Sequence, residues 1–80
     1  MALSVEEVLG LCFELERVEK ALPAGDPVRV LVVQQIVELR RLLRQLQEDG
    51  DTTVGRVRSS RATLDEGWAL LRIARERLDR

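Results

Sequence analysis

Hydrophobic residues recur at alternating spacings of three and four along the first part of the chain, which is the pattern of a helix packed lengthwise on another helix. The members of this stripe are Val8, Leu11, Leu15, Val18 and Leu22. Ser4 and Glu7 have the spacing of a capping box, which is typical of a helix start. Pro23 and Gly25 follow the stripe and oppose its continuation. The pattern predicts a first helix over about 4–22.

A second stripe with the same spacing follows a short Pro-Ala-Gly-Asp link. Its members are Val32, Ile36, Leu39, Leu43 and Leu46, and Val28, Leu31 and Leu42 widen it. Asp26 before Pro27 indicates a helix start, because the acid can cap the helix and proline loses no hydrogen bond at the first helical position. We predict a second helix over about 27–48. The short link predicts that the first two helices form an antiparallel hairpin.

A third helical pattern occupies the last part of the chain. Thr63 and Glu66 form a second capping box, which predicts a helix over about 63–79. The expected buried stripe consists of Leu64, Trp68, Leu71, Ala74 and Leu78. We expect Trp68 to be the main core anchor of this helix, because it is its one large aromatic side chain.

Residues 51–62 form an uncertain linker between the second and third patterns. Gly55 and two adjacent serines favour a loop or a frayed turn. Val54 and Val57 continue the hydrophobic repeat backwards, which would permit one long helix from about 52. We favour the loop.

Together the three stripes predict one all-α domain over 1–80, an antiparallel hairpin plus a third helix in a small three-helix bundle. The chain has 80 residues, of which 45% are hydrophobic and 34% charged, so its composition is that of a folded protein. Cys12 is the single cysteine and lies on the apolar side of its helix, where we interpret it as a small buried hydrophobe. The lack of a possible intrachain disulfide predicts a reducing, cytoplasmic setting. No signal peptide or membrane-spanning segment is expected.

The residue types that usually carry catalysis are scarce. The chain contains no histidine, its one cysteine has no base to activate it, and no glycine-rich phosphate loop is present. The neighbouring carboxylates Glu16 and Glu19, like Asp65 and Glu66, are interpreted as solvated helix charges. We therefore predict a protein that is not an enzyme and holds no cofactor or metal.

The second helix carries a further apolar group outside its main stripe. Val30, Val33 and Val37 lie on nearly the opposite side of the helix, and Arg40, Arg41 and Arg44 continue that side towards its end. One interpretation is that the third helix covers these valines in a monomeric bundle. We favour a partner-binding surface, because the third helix is already needed to cover the main stripe. The expected partner is a second copy or a helical segment of another protein.

Two weaker hints accompany this surface. Gln35 falls within the main stripe, where its amide either fixes the register of a helical assembly or lies at an edge in water. Leu9, Cys12 and Phe13 widen the apolar arc of the first helix. They either meet a partner subunit or cap the bundle beside Trp68.

Charge is unevenly distributed along the chain, which has a net charge of −1. The first 26 residues carry −4, whereas 27–50 carry +1 and 51–80 carry +2. This asymmetry favours association of the first segment with the later ones, within the chain or between copies. A second functional interpretation is a small dimeric nucleic-acid-binding regulator that uses Arg56, Arg58 and Arg61 on phosphates. We rank it lower, because no aromatic residue interleaves these arginines and their pairing with the acidic first helix is favoured.

Overall fold

The computed structural model of the chain describes residues 5–48 and 54–79, and these residues form three α-helices. Helix α1 spans Val5–Ala21, α2 spans Pro27–Glu48 and α3 spans Val54–Leu78. Each helix packs against the other two, and the described residues include no strand. The predicted all-α architecture, a hairpin plus a third helix in a small bundle, is confirmed.

Ion pairs between the helices show their relative directions. Arg61 Nη1 lies 3.3 Å from Glu7 Oε1, and Arg75 Nη2 lies 2.6 Å from Glu14 Oε2. The two pairs follow the same order along both helices, so α3 runs parallel to α1. It therefore runs antiparallel to α2, the second member of the hairpin.

The hairpin contributes most of the core. All five residues of the α1 stripe are buried, as predicted. The buried residues of α2 are Val28, Val32, Ile36, Leu39 and Leu42, with Leu43 and Leu46 partly buried beside them. Leu31, which was expected in this stripe, is 51% exposed instead. Its position is roughly 80° from the centre of the buried arc on a helical projection, just beyond the reach of the neighbouring helices.

The buried side of α3 differs from the predicted one. The expected stripe residues that are buried are Leu64, Leu71 and Ala74. Trp68 and Leu78 are 41% and 39% exposed, so the prediction that Trp68 anchors the core is wrong. Gly67 completes the buried row instead. Glycine is not hydrophobic, so a pattern of hydrophobic residues cannot identify it as buried. For this reason the next residue, Trp68, was assigned to the core instead of Gly67.

Gly67 of α3 lies close to leucine side chains of both other helices. A Cβ atom at this position would be 2.6 Å from Leu11 Cδ2 and 3.5 Å from Leu39 Cδ1. Both leucines are fully buried, one on α1 and the other on α2. The missing side chain lets the backbone of α3 pack directly on them.

Helix α3 begins at Val54, so the loop favoured for 51–62 is wrong from residue 54 onwards. Residues 51–53 lie outside the described residues. The low helix propensity of glycine and serine costs about 1 kcal/mol per residue or less, which is too small to prevent a helix in a folded protein.

Thr63 lies inside α3, so its predicted role as a helix cap is wrong. Arg61, two residues before it, pairs with Asp65 one turn further on at 3.3 Å, and it also reaches Glu7 of α1. These contacts stabilise the helical conformation on both sides of Thr63, so the helix continues through the residue at which the capping box predicted its start. Ser4 of the first predicted capping box lies outside the described residues.

Asp26 joins the start of α2 to the end of α3. Its Oδ1 accepts a hydrogen bond from the backbone N–H of Val28 at 2.9 Å, and Pro27 is the first helical residue, so the predicted cap is confirmed. Its Oδ2 accepts a second bond from Arg77 Nε at 2.9 Å. The Val28 N–H and then the Arg77 guanidinium hold the pKa of the Asp26 carboxyl below its ordinary value.

The packing at Gly67 predicts opposite effects of one substitution at two glycines. Gly10 lies on the exposed side of α1 with nothing within 4 Å of an added Cβ, so Gly10→Ala should raise the free energy of unfolding by about 0.5–1 kcal/mol. Gly67→Ala gains the same helix propensity but overpacks Leu11, which costs about 1–3 kcal/mol, so the net effect should be a loss. Urea denaturation followed by far-UV circular dichroism measures both. Equal stabilisation by the two substitutions would contradict the close approach.

The environment of Asp26 predicts a specific acid sensitivity. Because its pKa is lowered in the folded protein, its contribution is fully present above the unfolded value of about 3.9 and is lost as pH falls through the lower folded value. Asp26→Asn keeps a capping side chain but removes the charge, so this variant should melt at a lower temperature than the native protein at neutral pH. The difference should shrink in acid.

Melting temperatures measured from about pH 7 down to about pH 2 test this expectation. Asp79→Asn, which removes an exposed carboxylate beyond the end of α3, is the matched control. A constant difference between Asp26→Asn and the native protein across this range would show that the Asp26 charge contributes nothing.

Candidate protein-interaction surface

The valine–arginine face of α2, defined by Val30, Val33, Val37, Arg40, Arg41 and Arg44, points away from the core. Val30 is 55% exposed, Val33 43% and Val37 50%. On a helical projection these valines lie roughly 120–180° from the centre of the buried arc, whereas α1 and α3 both pack on the opposite half of α2. The alternative in which α3 covers the valines is therefore wrong. Whether a partner binds them stays a prediction.

The arginines at the end of this face differ in their surroundings. Arg40 forms an ion pair and hydrogen bond with Glu16 of α1 across the groove between the two helices. Arg41 lies 3.5 Å from Glu38 on its own helix, and both side chains are more than half exposed. Arg44 makes no ion pair among the described residues. The cationic end of the face is thus only partly neutralised from within the chain.

Two apolar residues of α1 are also exposed. Phe13 is 66% exposed and Leu9, one turn before it, is 39% exposed. Phe13 precedes Glu16, the partner of Arg40, by three residues, so it lies within one turn of the ion pair that joins α1 to the valine–arginine face. Of the two alternatives for these residues, exposure to a partner fits Leu9 and Phe13, whereas Cys12 is buried in the core.

A second exposed surface lies between α2 and α3, on another side of the molecule. This α2–α3 groove has a volume of about 560 Å³. Among its lining residues are Leu31, Glu38, Glu66, Ala69, Leu70 and Ile73. Leu31 and Ile73 are 51% and 48% exposed. This groove was not predicted from the sequence, because Leu31 was assigned to the core and Ile73 was given no role. The signal that could have indicated it is the presence of two apolar residues on the outer sides of their helices.

Gln35 links the two walls of this groove at its floor. Its Nε2 donates a hydrogen bond to the backbone carbonyl of Thr63 at 2.8 Å, and the side chain is half-buried. The alternative in which this amide points into water at an edge is therefore wrong. Its contact within the chain holds α2 and α3 in register; a role in oligomer number is untested.

The proposed nucleic-acid segment is only partly described. The side chains of Arg56 and Arg58 lie outside the described residues. Arg61 is bound by carboxylates on two sides, Glu7 and Asp65, each at 3.3 Å. The uneven charge distribution along the chain predicted that Arg61 pairs with the acidic first helix, as it does here. This pairing leaves the Arg61 guanidinium less available to phosphate.

Other kinds of site find little support in the described part of the chain. Within residues 5–48 and 54–79, no cluster of three or more histidine, cysteine or acidic side chains could hold a metal ion. None of the helices there combines the length and apolar character that a membrane crossing requires. Comparisons with protein-family models, with curated proteins and with solved structures gave no match.

The burial of Cys12 predicts a slowly reacting thiol. Burial, and then the nearby Glu16 carboxylate, raise the pKa of Cys12, which lowers the fraction of reactive thiolate at any given pH. At pH 8, we expect its reaction with a colorimetric disulfide reagent to be at least about tenfold slower than in the urea-unfolded chain. The variant Cys12→Ser/Ala24→Cys, with the thiol moved to the exposed loop, is the control and should react rapidly. Equal rates for folded and unfolded native protein would rule out a buried thiol.

Proposed function

We propose that this protein is a non-enzymatic assembly module that self-associates through the valine–arginine face of α2. The observation that carries the proposal is the exposure of three valines on one side of a helix whose other side is packed in the core. Exposed apolar residues in a row on a helix, leading into a row of arginines, are the features of a helix-binding surface.

The size of the hydrophobic contribution indicates how large the contact must be. Fully burying a valine side chain stabilises by about 1.5 kcal/mol, so completing the burial of three half-exposed valines gives about 2 kcal/mol in total. Association loses at least about 4 kcal/mol of translational and rotational freedom. The valines alone are therefore insufficient, and the contact must include neighbouring apolar residues such as Phe13 and Leu9.

Charge supports a second copy of this chain as the partner. The valine–arginine face ends in three arginines, yet the whole chain has a net charge of −1. Carboxylates must therefore be presented elsewhere on the same molecule, where they can meet the arginines of a neighbouring copy. Self-association also fits the small size of the bundle, because an 80-residue chain buries only about 60% of its unfolded surface when it folds alone.

Sedimentation equilibrium of the purified protein tests this proposal. We expect the native protein to exceed the monomer mass at concentrations around 100 µM, where an assembly of about micromolar affinity is largely associated. Val33→Glu should sediment as a monomer, because a charge is placed in the centre of the contact at a position exposed enough for the fold to tolerate it.

Gln45→Glu provides the matched control, with the same charge change at an exposed position of α2 outside the valine–arginine face. It should associate like the native protein, and far-UV circular dichroism should show helix content unchanged in both variants. A native protein that is monomeric, or an assembly that Val33→Glu leaves intact, would remove this face as the interface.

A further inference from the structure

We propose that the valine–arginine face of one copy docks into the α2–α3 groove of the next, so that copies associate head to tail. This inference rests on the proposed self-association and identifies the counterpart surface. Both surfaces are exposed in a single copy and lie on different sides of it, so each copy can bind two neighbours.

The charges of the two surfaces are complementary. Glu38 and Glu66 line the groove, and its described lining includes no basic side chain. Glu66 makes no ion pair among the described residues, and Glu38 pairs with Arg41 of its own helix in an exposed contact that contributes little. Arg44 on the opposing surface is likewise without an ion pair in the described part of the chain. Docking would bring these groups of opposite sign together.

The apolar parts of the two surfaces also match. Leu31 and Ile73 are about half exposed on opposite walls of the groove, with the partly buried Leu70 between them. A volume of about 560 Å³ accommodates several valine-sized side chains. The valines would therefore enter an apolar recess rather than pack on a polar helix.

The spacing of apolar and charged groups is the same on both surfaces. The corresponding pairs are Val37 with Arg44, Leu31 with Glu38, and Ile73 with Glu66, and the two members of each pair are seven residues apart. Seven residues are about two helical turns, or about 10 Å. Because α3 runs antiparallel to α2, the apolar-to-charged direction is the same along both walls of the groove. Placing Val37 at the apolar end therefore places Arg44 at the acidic end.

Electrostatics disfavours the two-fold alternatives. Contact of the groove with itself would bring the acidic side chains of two copies, Glu38 and Glu66 of each, close together, and contact of the valine–arginine face with itself would bring the arginines of two copies close together. Head-to-tail contact avoids both. It also leaves one free face and one free groove at the ends, so the assembly is a closed ring or an open chain.

Exchange of the charges at Arg44 and Glu66 tests the contact directly. Arg44→Glu and Glu66→Arg should each weaken association by about tenfold in sedimentation equilibrium, because each opposes like charges across the contact. The double variant should recover to within about threefold of the native protein, since its neighbouring copies again present opposite charges. Glu76→Arg, an identical change at an exposed α3 position outside the lining given for the groove, is the control and should associate normally. A double variant as weak as the single ones would overturn the proposed contact.

Mixing two blocked variants separates this inference from the proposed function. Val33→Glu disables the face and Ile73→Lys disables the groove, so each alone should be monomeric, with helix content retained by circular dichroism. An equimolar mixture should form one-to-one heterodimers and nothing larger, because the pair has one intact face and one intact groove. If Ile73→Lys alone still assembles, the head-to-tail contact is overturned but self-association through the valines still stands. The same conclusion follows if the mixture stays monomeric. A monomeric native protein would overturn both.

Discussion

The direct packing of α3 on the hairpin at Gly67 determines which sides of the helices face inward. A Cβ atom at this position would force Leu11 to shift and would already be in van der Waals contact with Leu39. With no side chain there, the backbone of α3 lies in the furrow between α1 and α2, and its rotation is fixed by that contact. Trp68, the next residue, is consequently turned towards the surface.

The exposed surfaces are a consequence of the same arrangement. A helix with two neighbours can bury only the part of its circumference that faces them, and α2 has hydrophobic residues beyond that part. Val30, Val33 and Val37 lie on one uncovered side of α2, and Leu31 lies on another, beside α3. Exposed apolar residues on two sides of one helix mark candidate interaction surfaces, and we therefore propose assembly as the function of this protein.

Local signals in the sequence predicted the parts of the fold that depend on local chemistry. The stripe of α1 and the Asp26–Pro27 start of α2 were both recognisable, because periodic burial and capping are set within a few residues. The exposed valines were predictable for the same reason, since their angular separation from the main stripe follows from helical geometry alone.

Features that depend on the packing of distant segments could not be predicted in this way. Gly67 belongs to the buried side of α3 but has no hydrophobic side chain that the sequence pattern could show. Trp68 was therefore assigned to the core in its place. Thr63 has a capping pattern but lies within a helix that Arg61 contacts help to continue. The α2–α3 groove depends on how two distant helices pack, and the α3 stripe, although correct at Leu64, Leu71 and Ala74, gave no information about which residues of α2 lie beside it.

Asp26 gives the bundle a property that neither helix terminus has alone. One of its oxygens holds the first turn of α2, and the other holds Arg77, which is 51 residues away in the sequence. If the carboxylate loses its hydrogen bond to Val28 or to Arg77, it moves, and the remaining hydrogen bond is weakened as well. Through this one carboxylate the hairpin loop and the carboxyl end of α3 are linked, so we expect loosening of one segment to loosen the other.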